Sequence, residues 1–221
     1  MSVETVGQKV RAHFHADAQR FDAIYEAEEK KSAFERWVDN VWRGVVKRRL
    51  DLAQQVLDPL TGKSVVDVGC GSGRFCFMYA QRGAVRVLGV DFADAMIELA
   101  RQHAARLGVA EQCEFRTGFF PEAAGAEHFD VSTAMGFFDY IADPAHIVSA
   151  MRQITRETLV MSFPKLWEWR IPIRRVRFLL SGCPLFLYTE NKIRRIMADA
   201  GVTNYELINF DRDYIVVARL K

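Results

Sequence analysis

Residues 65–75 read Val-Val-Asp-Val-Gly-Cys-Gly-Ser-Gly-Arg-Phe, three glycines in alternation behind an apolar run that carries an acid, Asp67. Glycine lacks a Cβ, so Gly69, Gly71 and Gly73 let a ligand approach the backbone closely. The choice is between two kinds of nucleoside. A dinucleotide turn uses G-x-G-x-x-G, in which the third glycine packs the helix and its N-terminus faces pyrophosphate. Here the spacing is G-x-G-x-G, and Arg74 stands where that third glycine or alanine belongs. Farther along, residues 87–93 (VLGVDFA) close a second apolar run with Asp91, whose carboxylate can accept both hydroxyls of a ribose. NAD enzymes share an acid at that place, so the glycine spacing carries the discrimination.

These residues need a frame. Val6, Val10, Phe14, Ala18 and Phe21 recur at helical spacing, as do Phe34, Trp37, Val38, Val41, Trp42, Val45, Val46, Leu50, Ala53 and Val56, so two helices precede the first strand. After the turn at 58–62, strands over 64–68, 85–90 and 114–116 alternate with helices from the glycine turn to Arg82 and from Asp94 to Leu107. This is the rhythm of a parallel sheet. Asp94 suits an N-cap, and Gly83 and Gly108 suit the residue after a helix. Residues 129–135 and 158–163 read as a fourth and fifth strand, with Asp143-Pro144 opening a helix between them and Thr189 opening another that Gly201 closes. The tail, 204–221, holds two β-rich runs split by Asp-Arg-Asp and predicts an antiparallel pair at one end of the sheet. Ligands of such sheets sit beyond the carboxyl ends of the strands, where the glycine turn falls.

Acid-x-G-x-G-x-G led by Asp67, with Asp91 closing the second strand, resembles the first motif and the ribose acid of the class I S-adenosylmethionine-dependent methyltransferases. The resemblance spans residues 60–163 by motif and reaches the chain end through the antiparallel pair. It implies an α/β, Rossmann-like, doubly wound, mostly parallel sheet of seven strands with the last antiparallel, plus N-terminal lid helices. It also implies S-adenosylmethionine as cofactor, with Asp67, Gly69, Gly71, Gly73, Asp91, Phe92, Met96, Gly118, Phe119 and Met135 around it. One departure stands out: many members carry an adenine-binding acid after the third strand, whereas this chain reads Arg-Thr-Gly-Phe-Phe-Pro-Glu over 116–122. Adenine recognition is therefore expected from stacking, with Phe92, Met96 and Phe119 as walls. A fainter similarity, to magnesium-protoporphyrin methyltransferases, lies in Val-Arg-Ala-His-Phe over 10–14 and Phe-Pro-Lys over 163–165.

Methyl transfer from a sulfonium is an in-line displacement on an activated carbon, so positioning and water exclusion do much of the work, and a base helps where the acceptor is a hydroxyl. The candidates for catalysis are Tyr25, Asp139, Tyr140 and His146. His13 and His15 read as helix surface. Residues 163–188 are too long for an ordinary connection and mix Trp167, Trp169, Phe178 and Phe186 with Arg170, Arg174, Arg175 and Arg177. That composition suits a cover over an acceptor that is partly apolar and carries a negative group, with Tyr25, Trp167, Arg174 and Arg175 touching it. It also suits a basic amphipathic patch on a membrane surface.

Composition narrows the classes. Thirty basic and 28 acidic side chains leave a formal charge of +2, without the global field that gathers nucleic acid. Neither an Asn/Asp-Pro-Pro-Tyr/Phe motif nor a Pro-Cys pair marks a nucleic-acid methylase. Cys70, Cys76, Cys113 and Cys183 are scattered, without a zinc or disulfide pattern, and read as buried free thiols. The first residues lack the apolar core of a secretion signal, and no stretch reaches the roughly 18 apolar residues of a membrane span. The expectation is a cytoplasmic enzyme, monomer or homodimer, with a small-molecule substrate, no metal and no nucleic-acid partner. A single domain over 1–221 divides into N-terminal helices (1–58), a cofactor core (63–163), an insert (164–188) and a C-terminal helix and hairpin (189–221). A hydride-transferring NAD enzyme and a non-enzymatic cofactor-binding module are the competing classes.

Overall fold

Strand parity builds the molecule. In the computed structural model, which describes residues 33–166 and 185–220, successive residues of each strand enter opposite cores. Val65, Val87, Val131, Val160, Ile215 and Val217 pack on one face of the sheet, and Val66, Leu88, Leu159, Met161, Val216 and Ala218 on the other. Strands apolar on both sides must be covered on both sides, and the period of two makes this a central sheet.

The described elements are α1 (Ala33–Leu57), β1 (Ser64–Val68), α2 (Arg74–Gln81), β2 (Arg86–Asp91), α3 (Asp94–Arg106), β3 (Cys113–Thr117), β4 (Phe129–Ala134), α4 (Pro144–Ile154), β5 (Thr155–Pro164), α5 (Glu190–Asp199), β6 (Tyr205–Phe210) and β7 (Asp213–Arg219). Short 3₁₀ turns cover Glu122–Ala124 and Phe138–Tyr140. The seven strands lie in the order β3-β2-β1-β4-β5-β7-β6. β1 pairs parallel with both β2 and β4, whereas β7 runs antiparallel between β5 and β6. The tail hairpin thus inserts its last strand into the sheet and leaves β6 at the edge. α1, α2 and α3 supply Ala53, Leu57, Phe75, Cys76, Ile97 and Ala100 to one core, and α4 and α5 supply Val148, Met151, Ile193 and Met197 to the other.

Two boundaries differ from expectation. α3 starts from the Ala93 carbonyl, and Asp94 is its first residue with no side-chain cap bond, because the Asp91 carboxylate already accepts the Ala93 N–H at 2.9 Å. On α1 the buried face is Arg49, Ala53 and Leu57, with Leu50 and Val56 only half-buried. A charged residue occupies the middle of the expected apolar stripe, and its reason lies in the site.

Candidate active site

β1 and β2 end at the glycine turn, where each glycine answers a different demand. A Cβ on Gly69 would lie 2.4 Å from Cδ2 of Phe137, so the Phe137 ring rests on that residue. A Cβ on Gly73 would lie 2.7 Å from Cζ of Phe77, and its φ of +84° opens α2, so the third glycine serves helix packing. Gly71, at φ +52°, has nothing within 4 Å of a Cβ. Its N–H donates to Asp91 Oδ2 at 2.9 Å. Bare backbone and open space therefore coincide only at the middle glycine of the three.

Asp91 is fixed by two backbone N–H groups, from Gly71 and Ala93, each at 2.9 Å on a different oxygen. Burial raises its pKa and these bonds oppose the rise, so the carboxylate keeps acceptor capacity on an oriented head. Beside it Phe92 and Phe119 stack at 5.7 Å with 13° between their planes, and Phe119 is 53% exposed although large and apolar. Met96 is buried in a small cluster with Ala93, against Phe92. The resulting aromatic shelf next to a ribose acid is where a nucleobase would stack. Gly118 forms the floor: its N–H donates to the Asp91 carbonyl, and a Cβ would meet that of Ala123 at 2.9 Å. Met135 is buried directly after β4.

Asp67, expected at the ligand, lies beneath the turn instead. It is 2% exposed, accepts from Thr133 Oγ1–H at 2.7 Å and from the Cys76 thiol at 3.6 Å, and so ties β1 to β4 and α2. Desolvation pushes its pKa up from 3.8 to about 7, against the pull of those two bonds. The folded protein thus holds a proton that the unfolded chain releases near pH 4, and stability from this group falls as pH rises from about 4 to about 7. Asp67→Asn, which removes the titration, is expected to be more stable than wild type at pH 8, by up to about 4 kcal/mol. At pH 4 the gain should vanish. Urea unfolding at the two pH values checks this, and a pH-independent difference would remove Asp67 as the cause.

Beyond β4 and β5 lies the second half of the cleft. The Gly136 N–H donates to Ser162 Oγ at 2.7 Å, locking the two strand ends together. The turn that follows carries Asp139, 4% exposed, and half-buried Tyr140. Asp139 offers its carbonyl to the Phe186 N–H at 2.8 Å, and the Tyr188 hydroxyl donates to the Phe138 carbonyl at 3.1 Å. Phe138, Phe163 and Tyr188 stack in sequence, with centroids 4.4 and 5.1 Å apart. Leu166 and Tyr188 are joined by a backbone bond at 2.8 Å, which holds the chain on either side of residues 167–184 beside the Asp139 turn. His146 is exposed in the first turn of α4, where its N–H meets the Asp143 cap. That placement separates it from the buried turn and fits a helix-start residue.

Over this half of the cleft lies Arg49. Its Nε and Nη2 donate to Asp213 at 2.7 and 2.9 Å, and a Cβ on Gly136 would lie 2.7 Å from Nη1. Burial would lower the Arg49 pKa, but Asp213, with Asp139 and Tyr140 adding, raises it, so the guanidinium stays charged. Sequence reasoning passed over Arg49, Asp213, Ser162 and Phe137. The signal for Arg49 was a cation in register with Val45 and Ala53 on an apolar stripe. Tyr25, Trp167, Arg174 and Arg175 lie outside the described residues, as does Cys183. Cys70, Cys76 and Cys113 are buried free thiols, and burial pushes Cys70 up to about 11.

A seven-stranded sheet with β7 reversed, a bare glycine turn after β1 and a backbone-oriented acid after β2 define the class I S-adenosylmethionine-dependent methyltransferases. The family model described as a methyltransferase domain matches residues 60–201, and the chain belongs to that family. It is 32% identical over 149 residues to the ubiquinone biosynthesis O-methyltransferase of Pasteurella multocida, covering 62% of this chain and 61% of that protein. It is 37% identical over 146 residues to the enzyme of the same name from Neisseria meningitidis serogroup A, covering 61% of each. The match thus spans about three fifths of these curated relatives' length. In fold it resembles magnesium protoporphyrin IX methyltransferase from Synechocystis PCC 6803 with bound S-adenosylhomocysteine, at a TM-score of 0.76 and 21% identity, over 97% of this chain and all of that one.

Proposed function

We propose that the protein transfers a methyl group from S-adenosylmethionine to an oxygen or nitrogen of a small, partly apolar organic acceptor. The observation that carries this is Gly71: its left-handed backbone, the empty volume where a Cβ would stand and its N–H on Asp91 make a cradle for the cofactor. When bound, S-adenosylmethionine supplies an electrophilic methyl on a sulfonium. Gly69 and Gly71 line its amino-acid end, Asp91 takes the ribose hydroxyls, and Phe92, Met96, Gly118 and Phe119 enclose the adenine. Met135 and the Phe137 ring close the floor between the two halves of the cleft. Asp139 and Tyr140 stand beyond β4 as groups able to take or orient a proton on an acceptor hydroxyl. The kinship to ubiquinone O-methyltransferases supports an aromatic hydroxyl as that acceptor. Tyr25, Trp167, Arg174 and Arg175 belong to the acceptor side in this reading, and the segment bearing the two arginines is where a peripheral contact with a membrane would form. Among the described residues no helix is long and apolar enough to cross one.

Titration with S-adenosylhomocysteine tests the cofactor half. Asp91→Ala removes two charge-assisted bonds, each worth about 1.5–3 kcal/mol at most, so affinity should fall at least a hundredfold with a near-normal melting curve. Unchanged affinity would take Asp91 out of the site. An Arg174→Ala, Arg175→Ala double variant should keep cofactor affinity and raise the acceptor KM; liposome co-sedimentation reports separately whether those arginines meet lipid.

A further inference from the structure

The geometry points to Arg49 Nη1 as the hydrogen-bond donor that holds the acceptor's hydroxyl oxygen at the carboxyl end of β4. This rests on the methyl-transfer reading above and extends it from the class of reaction to the acceptor atom and its partners.

The placement comes first. β1 stands between β2 and β4, and ligands of such sheets enter the crevice at the carboxyl ends where strand order reverses. Gly71 and Asp91 occupy the β2 side of that crevice. Gly136, the second residue beyond β4, occupies the other, and a Cβ there would lie 2.7 Å from Arg49 Nη1. The guanidinium is therefore laid over the strand end beyond which an acceptor must sit to face the cofactor.

Its bonding comes second. Arginine has five N–H donors in a fixed fork. Asp213 takes Nε and Nη2, and among the described residues Nη1 makes no hydrogen bond. A clamp whose purpose was only to dock α1 would be complete with the Asp213 pair. The pair also fixes the plane of the fork, so Nη1 points along a determined direction rather than sampling rotamers.

The surrounding charge selects the ligand. One cation, Arg49, stands with two buried carboxylates, Asp213 and Asp139. A second anion from a carboxylate or phosphate acceptor would meet this excess of negative charge, and an ammonium would meet the Arg49 donor. A hydroxyl satisfies both neighbours, because it accepts from Nη1 and donates to a carboxylate. In the transfer, the acceptor oxygen forms its C–O bond as the methyl C–S bond breaks, the electron pair of that bond stays on sulfur, and the hydroxyl proton passes to Asp139. Nη1 gains strength as negative charge grows on the oxygen, which is the condition for favouring the transition state over the ground state. An amine would have no lone pair to spare for Nη1 while it attacks.

The test uses the full chain loaded with S-adenosylhomocysteine and three probes: hexylcatechol, its dimethyl ether and hexylaniline. Loaded wild type should bind the catechol at least tenfold more tightly than the other two. Arg49→Lys should weaken catechol binding roughly tenfold to a hundredfold, the range of a lost charge-assisted bond, while S-adenosylhomocysteine affinity stays within twofold. Asp213→Asn, which keeps an acceptor for the fork, should lower the melting temperature yet leave catechol affinity within threefold. Gly136→Ala, which puts a methyl against Nη1 without touching the ion pair, should repeat the Arg49→Lys pattern, with cofactor affinity certifying the fold. Catechol affinity unchanged in Arg49→Lys, an equal loss in Asp213→Asn, or no preference among the probes in wild type each overturns the assignment. Failure of wild type to bind S-adenosylhomocysteine would instead overturn the methyl-transfer reading itself.

Discussion

A Gly71→Val variant is expected to fold and to bind no measurable S-adenosylmethionine. The fold survives because the new side chain meets no protein atom within 4 Å of its Cβ. The strain of a β-branched residue at φ +52° is confined to the turn and amounts to about 1–2 kcal/mol. Binding is lost because the branched carbons fill the volume through which a ligand reaches the Gly71 backbone, and because a shifted Gly71 N–H releases Asp91. The neighbouring glycines give the contrast. Gly69→Ala would drive a methyl to 2.4 Å from the Phe137 ring, and Gly73→Ala to 2.7 Å from that of Phe77, so both should lower the melting temperature before they affect binding. Calorimetric titration beside thermal unfolding separates the three. Wild-type affinity in Gly71→Val would mean that the turn does not touch the cofactor.

The second large effect falls on stability. Asp213→Ala should destabilise by about 3–5 kcal/mol, because it leaves the Arg49 guanidinium buried without its counter-charge. The side chains are 11% and 2% exposed, so solvent screening does little to soften the loss. One residue away, Arg48 and Asp211 form a similar contact at 2.6 Å, but with 48% and 34% exposure. Asp211→Ala should therefore cost no more than about 1 kcal/mol. Geometry is nearly the same in the two pairs, and burial decides the tenfold and greater difference in equilibrium constant. A double variant, Arg49→Met with Asp213→Leu, should recover much of the loss, since an apolar pair of similar volume removes the desolvation term. Denaturant unfolding of the four proteins checks the series, and equal losses for Asp213→Ala and Asp211→Ala would show that the inner pair is not desolvated in solution.

Much of the sheet was legible because its rules are local. A period of two in the strands and of three to four in the helices reports burial on each element, and Asp143-Pro144, Thr189 and Gly201 stop or start helices through bonds and dihedrals within a few residues. The Asp143 side chain accepts the His146 N–H and that of Thr189 the Lys192 N–H, as their positions in the sequence required. The spacing of Gly69, Gly71 and Gly73 likewise announced a close approach of backbone to ligand. Asp91 was legible as an acid at a strand end.

Other features depend on contacts that no short window contains. The tail hairpin was readable as a hairpin, yet only its pairing with β5 along Thr158–Pro164 decides that β7 enters the sheet and β6 takes the edge. Asp67 and Asp91 look alike as acids at the ends of apolar runs; Asp67 lies under Cys76 and Thr133, whereas Asp91 faces the cleft. Arg49 and Asp213 are 164 residues apart, and each alone reads as a surface charge. The sequence by itself determined the elements, their covered faces and the ligand-binding turn, because those follow from residue-by-residue dihedrals and periodicity. Tertiary structure alone decided which acid is buried, which glycine stays open and which cation lies over β4, because burial belongs to the neighbours that folding brings from far along the chain.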